Sequence, residues 1–197
     1  MLEIRNLSKS YIYNKQKFFA LKNINLDIKE GEIIAVFGAS GSGKTTLLNL
    51  IAGFEKPTSG KIISFQNSGI GFIFQDFLLL PFLTLEENIF LPLKFNKIKD
   101  PYFQIIDETG LNHRRNHKPA FTSGGEKQRA AICRALITRP KLLLADEPTG
   151  NLDEKTAKSI IQLLQKLHKE KNFTMIIATH DQKIAKIADK IINLKNQ

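Results

Sequence analysis

Continuous apolar runs alternate along this chain with segments whose apolar residues recur every three or four positions. The runs EIIAVF at 32–37, GIGFIF with its core at 70–74, KLLLA at 141–145, FTMIIAT at 173–179 and KIINL at 190–194 read as strands. They are apolar on both faces, as strands of a covered parallel sheet are. Between them, KTTLLNLIAGF, GEKQRAAICRALIT, EKTAKSIIQLLQKLHKE and DQKIAKIAD read as helices, the second with Pro140 just beyond its end. In the third, Ala157, Ile160, Ile161, Leu164 and either Leu167 or His168 share one face. The first ~30 residues alternate differently and predict antiparallel strands beside the core. From about 76 to 122 no long apolar strand occurs, and LTLEENIFLPL and PYFQIIDETGL read as short helices. This stretch predicts a small helical subdomain inserted into an α/β core.

Composition narrows the picture. With 197 residues the chain suffices for one substantial domain. Its single cysteine, Cys133, excludes an internal disulfide, fits a reducing compartment and sits at helical spacing among apolar neighbours, as a buried structural thiol does. FLLLPFL at 77–83 is too short to span a bilayer and is flanked by Asp76 and Glu86. MLEIRNLSKSY has no apolar signal core, so a cytoplasmic protein is expected. The net charge of +10 fits an acidic partner or a diffuse lysine-rich surface. The lysines are scattered and form no basic block interleaved with aromatics, so nucleic acid is not an expected partner.

The segment GASGSGKTT fits G-x-x-x-x-G-K-[ST], with Gly38, Gly43, Lys44 and Thr45 in the required places. An apolar strand precedes it and a helix follows, the context a P-loop needs. Glycines let the backbone wrap phosphates, and the N–H groups of residues 41 to 46 can point inward at the positive end of the helix. Gly38, Ala39, Ser40, Gly41, Ser42, Gly43, Lys44, Thr45 and Thr46 are therefore the expected nucleotide cradle. Lys44 supplies charge for the β- and γ-phosphates, and the Thr45 hydroxyl can ligate Mg²⁺. The fold expected is α/β: a P-loop NTPase core with a mostly parallel sheet, an N-terminal antiparallel β subdomain and a small inserted helical subdomain.

LLLADEP ends a buried strand with two acids. Asp146 would hold Mg²⁺, and Glu147 would activate a water against the γ-phosphate. Gln75 and His180 also follow strands. Gly38, Gln75, Asp146 and His180 thus all lie at carboxyl ends of separate expected strands, the edge at which open parallel sheets bind ligands. They are expected to converge on one triphosphate.

A second glycine-bearing turn, TSGGEKQR, has no lysine directly after its glycines as an ordinary P-loop has. Ser123 with Glu126 three residues on makes a capping box, which by itself describes only a well-capped helix. It leaves Gly124 and Gly125 without a reason, since glycine near a helix start costs helix stability. It also exposes backbone donors at which an anion could bind.

Taken together, these motifs resemble the nucleotide-binding subunit of an ATP-binding cassette (ABC) transporter over almost the whole chain. The P-loop, the glutamine loop at Gln75, the signature TSGGEKQR, the strand end LLLADEP, the GNLD loop and His180 occur in that family's order. GFIFQDFLLLPFLTLEENIFLPL and ADEPTGNLD further resemble the subgroup serving lipoprotein release, macrolide efflux and cell division. The resemblance implies a single ATPase domain over 1–197 with residues 76–122 as its helical subdomain. It implies ATP hydrolysis as a homodimer or a dimer of two cassettes, paired head to tail. Each ATP would lie between the P-loop of one copy and the signature of the other, with Ser123 and the N–H of Gly125 on the γ-phosphate. It implies a membrane permease as partner and a peripheral place on the cytoplasmic face of the membrane. It assigns Tyr11, or Tyr13 on the same strand face, to adenine stacking. Gln75 becomes a metal ligand beside Thr45 and Asp146, and His180 contacts the γ-phosphate and orients water with Glu147. Asp153 belongs to the loop that crosses the dimer interface, or is only the N-cap of the helix beginning at Glu154.

Some features depart from the family. Thr122 stands where the signature usually has leucine. The interval from Ile63 to Gly71 is short, the helical insert looks trimmed, and no C-terminal regulatory domain is added. A regulator of a non-transport membrane complex, as in cell division, has the same cassette. A soluble ATPase acting on DNA or ribosomes usually has a long coiled coil or two cassettes, and neither occurs here.

Overall fold

A computed structural model describes residues 1–63, 69–95, 98 and 100–194. The elements begin with β1 (Leu2–Tyr13), β2 (Gln16–Ile28), β3 (Ile33–Phe37), α1 (Lys44–Ala52) and β4 (Ser59–Ile63). They continue with β5 (Ile70–Ile73), α2 (Leu85–Phe95), α3 (Ile105–Glu108), α4 (Gly124–Leu136), β6 (Leu142–Asp146) and α5 (Glu154–Lys171). The last are β7 (Thr174–Thr179), α6 (Gln182–Ala185) and β8 (Lys190–Asn193). Two compact units result: Met1–Ser68 with Thr174–Gln197, and Gly69–Phe173.

In the first unit, β1 and β2 form an antiparallel hairpin from Leu2↔Ile28 to Tyr13↔Gln16. Asn14 and Lys15 turn it with φ of 49° and 64°, the left-handed pair whose twist suits a two-residue hairpin. Leu2, Ile4 and Leu7 are fully buried. β4 pairs antiparallel with β1, Ile4 facing Ile62. It was not legible in the sequence, because SGKII is mostly exposed and has no apolar run. β3 lies parallel to both β7, from Ile33↔Met175 to Phe37↔Thr179, and β8. The buried aliphatic strands β3 and β7, with the more exposed β8 beside β3, form this unit's part of the expected parallel sheet.

The helix expected over 181–189 is shorter, only Gln182–Ala185. Asp189 is needed elsewhere: its carboxylate accepts the Ile33 N–H at 2.8 Å, and its own N–H donates to the Ile33 carbonyl at 2.8 Å. Those bonds take the chain out of the helix and into β8.

In the second unit, β5 and β6 pair in parallel, from Ile70↔Leu142 to Ile73↔Ala145. α4 packs against α2, α3, α5 and β5. On α5, Ile160, Ile161, Leu163, Leu164 and Leu167 are buried, each contributing about 1.5–3 kcal/mol of apolar transfer. Leu167, not His168, completes the face. The His168 Nδ1 instead lies 2.8 Å from the Phe173 carbonyl, a ring N–H donating to the chain beyond the helix. Leu163 joins the face unforeseen. Cys133 is a buried free thiol whose pKa burial pushes up to about 12, so it is chemically inert. The helix expected over PYFQIIDETGL keeps one turn, Ile105–Glu108, before Gly110 reverses the chain at a φ of 73°. Residues 64–68, on which the short Ile63–Gly71 interval falls, lie outside the described residues, as do 96, 97 and 99 of the helical segment.

Candidate functional site

The first unit carries the P-loop between β3 and α1. Gly41 and Gly43 have φ of 80° and 91°, left-handed values that favour glycine. At Gly43 even a methyl group would run into the Ala20 carbonyl on β2, so the loop is seated against a neighbouring strand. The Ser42 N–H closes a turn on the Ala39 carbonyl at 3.2 Å, which takes it from the expected set of inward donors. The Ser42 hydroxyl is buried with no hydrogen-bond partner among the described residues, and it fills the space that a side chain at Gly38 would need. Lys44 is 7% exposed, and its Nζ donates to the carbonyls of Gly38 at 2.9 Å and Ala39 at 3.0 Å. The loop thereby holds its cation over its own centre. Thr45 and Thr46 follow in the first turn of α1, whose opening N–H groups have no carbonyl one turn behind. No acidic residue opposes an anion there.

His180 stands beside this loop. Phe37 and Thr179 are register partners, and the Gly38 N–H donates to the Thr179 carbonyl at 3.4 Å. Gly38 and His180 therefore leave neighbouring parallel strands at the same end. The Thr179 hydroxyl accepts the Asp181 N–H at 3.0 Å, which turns the chain immediately after an exposed His180. Of the two tyrosines, Tyr13 is 71% exposed. Tyr11 is partly buried, and its phenol donates to Glu55 at 2.6 Å.

The second unit gathers the remaining candidates. Asp146 ends β6 with 6% exposure. Glu147 follows with a φ of 44°, unusual outside glycine, and its carbonyl accepts the Gly150 N–H at 3.0 Å. A side chain at Gly150 would lie 3.5 Å from the Glu147 Cβ and 3.6 Å from the Gln75 Nε2, so Gln75 and Glu147 flank the same small residue. Asn151, which sequence reasoning did not single out, fastens the Gln75 side of this pair. Its Nδ2 donates to the Gln75 carbonyl at 3.0 Å and to the Asp76 carboxylate at 3.1 Å. These partners are 76 and 75 residues away, so no local pattern could have shown them.

The signature helix α4 starts at Gly124 with the expected capping box on Ser123 and Glu126. Glu126 accepts the Ser123 N–H at 2.8 Å and Arg114 Nε at 2.9 Å, while the Ser123 hydroxyl takes the Glu126 N–H at 3.2 Å. Burial pushes the Glu126 pKa up, but the Ser123 and Arg114 bonds outweigh it and hold the carboxyl below its ordinary range. Arg114 is a second partner that local reading missed. The adjacent glycines now have a packing reason. A methyl group at Gly125 would lie 2.7 Å from the Thr156 Cγ2, and one at Gly124 3.2 Å from the Leu152 Cδ2. Asp153 is the N-cap of α5, accepting the Thr156 N–H at 2.9 Å. A shallow cavity of about 550 Å³ opens between these two helix starts, lined among others by Ser123, Gly125, Arg129, Asn151 and Asp153. Thr122, in place of an apolar side chain, turns its hydroxyl to the Pro119 carbonyl at 3.0 Å.

Residues 21–150 match the family model described as ABC transporter. The chain belongs to the ABC transporter family. This ABC cassette is 42% identical to the lipoprotein-releasing system ATP-binding protein LolD of Geobacter metallireducens, over 98% of this chain and 95% of that protein. It is 40% identical to the uncharacterized ABC transporter ATP-binding protein MJ0796 of Methanocaldococcus jannaschii, over 100% of this chain and 94% of that one. Among solved structures it is similar to a dimeric post-hydrolysis state of MJ0796 bound to ADP and Pi. There the TM-score is 0.89 with 39% identity, over 100% of this chain and 95% of that chain.

Proposed function

We propose that this chain is the ATP-hydrolysing motor of a transporter, working as a head-to-tail dimer that drives a separate membrane permease from the cytoplasmic face. Residues 1–197 are taken as one ATPase domain, with 76–122 as its helical subdomain. One observation carries the reading. The P-loop places a cation, Lys44, directly after its last glycine and holds it with Gly38 and Ala39, whereas the second glycine-bearing helix end has an acid there, Glu126, closed into its own cap. A donor-rich helix start with no lysine directly after its glycines suits the far side of an ATP whose charge is already met by another copy.

In this account residues Gly38 to Thr46 wrap the phosphates, with Lys44 on the β- and γ-oxygens. Tyr11 stacks on the adenine. Glu147 takes a proton from the attacking water, and His180 orients that water and contacts the γ-phosphate. Thr45, Gln75 and Asp146 offer hard oxygen donors, the chemistry Mg²⁺ accepts together with substrate phosphates, and that ion would neutralise charge on the transferring group. The capping box consumes the N–H of Glu126 and leaves those of Gly124 and Gly125 at the helix end. Ser123 and the Gly125 N–H receive the γ-phosphate of the partner copy's ATP, and Asp153 contributes to the loop at that interface besides capping α5. Loss of the γ-phosphate removes the contact that joins the copies, so hydrolysis opens the dimer.

Among the described residues no helix is long and apolar enough to cross a membrane, so the span belongs to the partner in this reading. Affinity purification of the chain from detergent-solubilised membranes tests it. Recovery of an integral membrane permease is expected, and recovery of ribosomes or DNA without one would contradict it.

A further inference from the structure

Tyr11 enters the account as an aromatic platform, yet nothing so far explains why its ring should stand in one place. It lies near the end of a hairpin whose tip is exposed: Ile12 and Tyr13 are 78% and 71% exposed. An exposed tyrosine on such a strand samples several rotamers, and a ligand that needs one of them bears the ordering cost.

The hydroxyl end of Tyr11 is not left to itself. It donates to Glu55 Oε2 at 2.6 Å, a short bond to a carboxylate. Lys9 Nζ lies 3.0 Å from the same oxygen, and Asn49 Nδ2 donates to the other at 3.4 Å. The Lys9 ammonium also sits over the Tyr11 ring, 5.0 Å from its centre, and Phe18 packs beside it at 5.7 Å. The phenol bond keeps the Glu55 carboxyl below its ordinary range; burial opposes this, and Lys9 and Asn49 add to the lowering.

Glu55 is itself fixed by the helix that starts at the P-loop. Gly53 ends α1 in the left-handed conformation, with its N–H on the Asn49 and Leu50 carbonyls. The Phe54 and Glu55 N–H groups then return to the Asn49 carbonyl at 2.9 and 3.4 Å. Glu55 is thereby carried back toward β1 while Lys44 to Thr46 hold the other end of the same helix. One rigid element of nine residues thus bears the phosphate cradle at its start and the tether of the aromatic ring just past its end.

We propose that Glu55 is a positioning residue for the nucleotide base: by holding the Tyr11 phenol it presets the ring against which adenine stacks, in register with the P-loop. The inference rests on the adenine role of Tyr11. It needs no contact between Glu55 and the nucleotide, and it acts on the base end of the ligand alone.

The test compares two probes on the full-length protein, ATP and inorganic tripolyphosphate, by calorimetric or competition titration. Tripolyphosphate engages the P-loop but has no base. Tyr11→Ala should weaken ATP roughly tenfold while leaving tripolyphosphate within about twofold. Tyr11→Phe, which keeps the ring and loses the tether, and Glu55→Ala should each weaken ATP by roughly threefold to tenfold, again sparing tripolyphosphate. Both remove the Tyr11–Glu55 bond, so the double variant should be no worse than Tyr11→Phe, which loses the phenol's hydrogen bond to Thr46 as well. Glu55→Gln, whose amide oxygen still accepts the phenol proton, should recover most of the loss. If Tyr11→Ala weakens ATP but Tyr11→Phe and Glu55→Ala do not, the tether is overturned and the adenine platform survives. An unchanged ATP affinity in Tyr11→Ala overturns both. Equal loss of both probes in Glu55→Ala, or Glu55→Gln as weak as Glu55→Ala, would mean that Glu55 only supports the fold.

Discussion

Two helices of this molecule start beside glycines, α1 just after Gly43 and α4 at Gly124, and they manage their unpaired N–H groups in opposite ways. α1 opens from left-handed Gly43, with no side chain capping it, no acid in its first turn, and Lys44 folded over the loop. α4 opens from Ser123 with a closed capping box and an acid, Glu126, anchored by Arg114. The first start is built to receive anionic charge by itself. The second is stable without a ligand and keeps only the N–H groups of its two glycines for one. A cassette needs both kinds if it grips ATP alone and then senses, through a second copy, whether the γ-phosphate is still there.

Freezing hydrolysis sharpens this contrast most. Glu147→Gln should lower turnover by about 10²- to 10⁴-fold, the range of a general base, while ATP still binds. ATP should then trap a dimer visible by gel filtration. A variant hydrolysing near the normal rate would remove Glu147 from that role. Next in size is the cation itself. Lys44→Ala should weaken fluorescent ATP by roughly 10- to 100-fold, the loss of charge-assisted bonds to phosphate. Ser123→Ala should lower turnover more than it lowers ATP binding to the isolated chain. Equal effects of the two substitutions on ATP binding would erase the distinction between the helix starts.

Smaller effects probe how the second start is packed. In Gly125→Ala the new methyl group meets Thr156 Cγ2 at 2.7 Å, so about 1 kcal/mol of overpacking, or roughly 2–4 °C in Tm, is expected by calorimetry. Adding Thr156→Ser, which deletes that methyl, should restore it. The smallest effect is electrostatic. The folded-state pKa of Glu126 is depressed, so its stabilising contribution is full above the unfolded carboxylate range and fades as pH falls through the folded pKa. The Tm difference between the parent and Glu126→Gln should therefore be greatest near neutral pH and close on acidification.

The same contrast explains what could be read from the chain beforehand. The P-loop is local: its glycines, lysine and flanking elements are consecutive, and so are Ser123 and Glu126. Consecutive aliphatics likewise announced β3, β6 and β7. What escaped depends on distant partners. β4 has no apolar run and exists by pairing with β1. Asn151 acts on residues 75 and 76 positions away, Arg114 on Glu126 12 away, and Glu55 on Tyr11 44 away. α6 stops early because Asp189 is claimed by Ile33. The reason for Gly125 lies in Thr156, on a separate helix.

The account turns on whether each reaction centre draws its two helix starts from different copies, and mixing two disabled proteins measures this directly. Lys44→Ala lacks a working P-loop, and Ser123→Arg lacks a working signature. In a head-to-tail pair of one with the other, one of the two centres has both intact parts. Each protein alone should be nearly inactive, and an equal mixture should regain up to about a quarter of the parent turnover, half of the pairs being mixed with one of two centres intact. No recovery, in a mixture shown by sedimentation to contain the mixed dimer, would contradict the account.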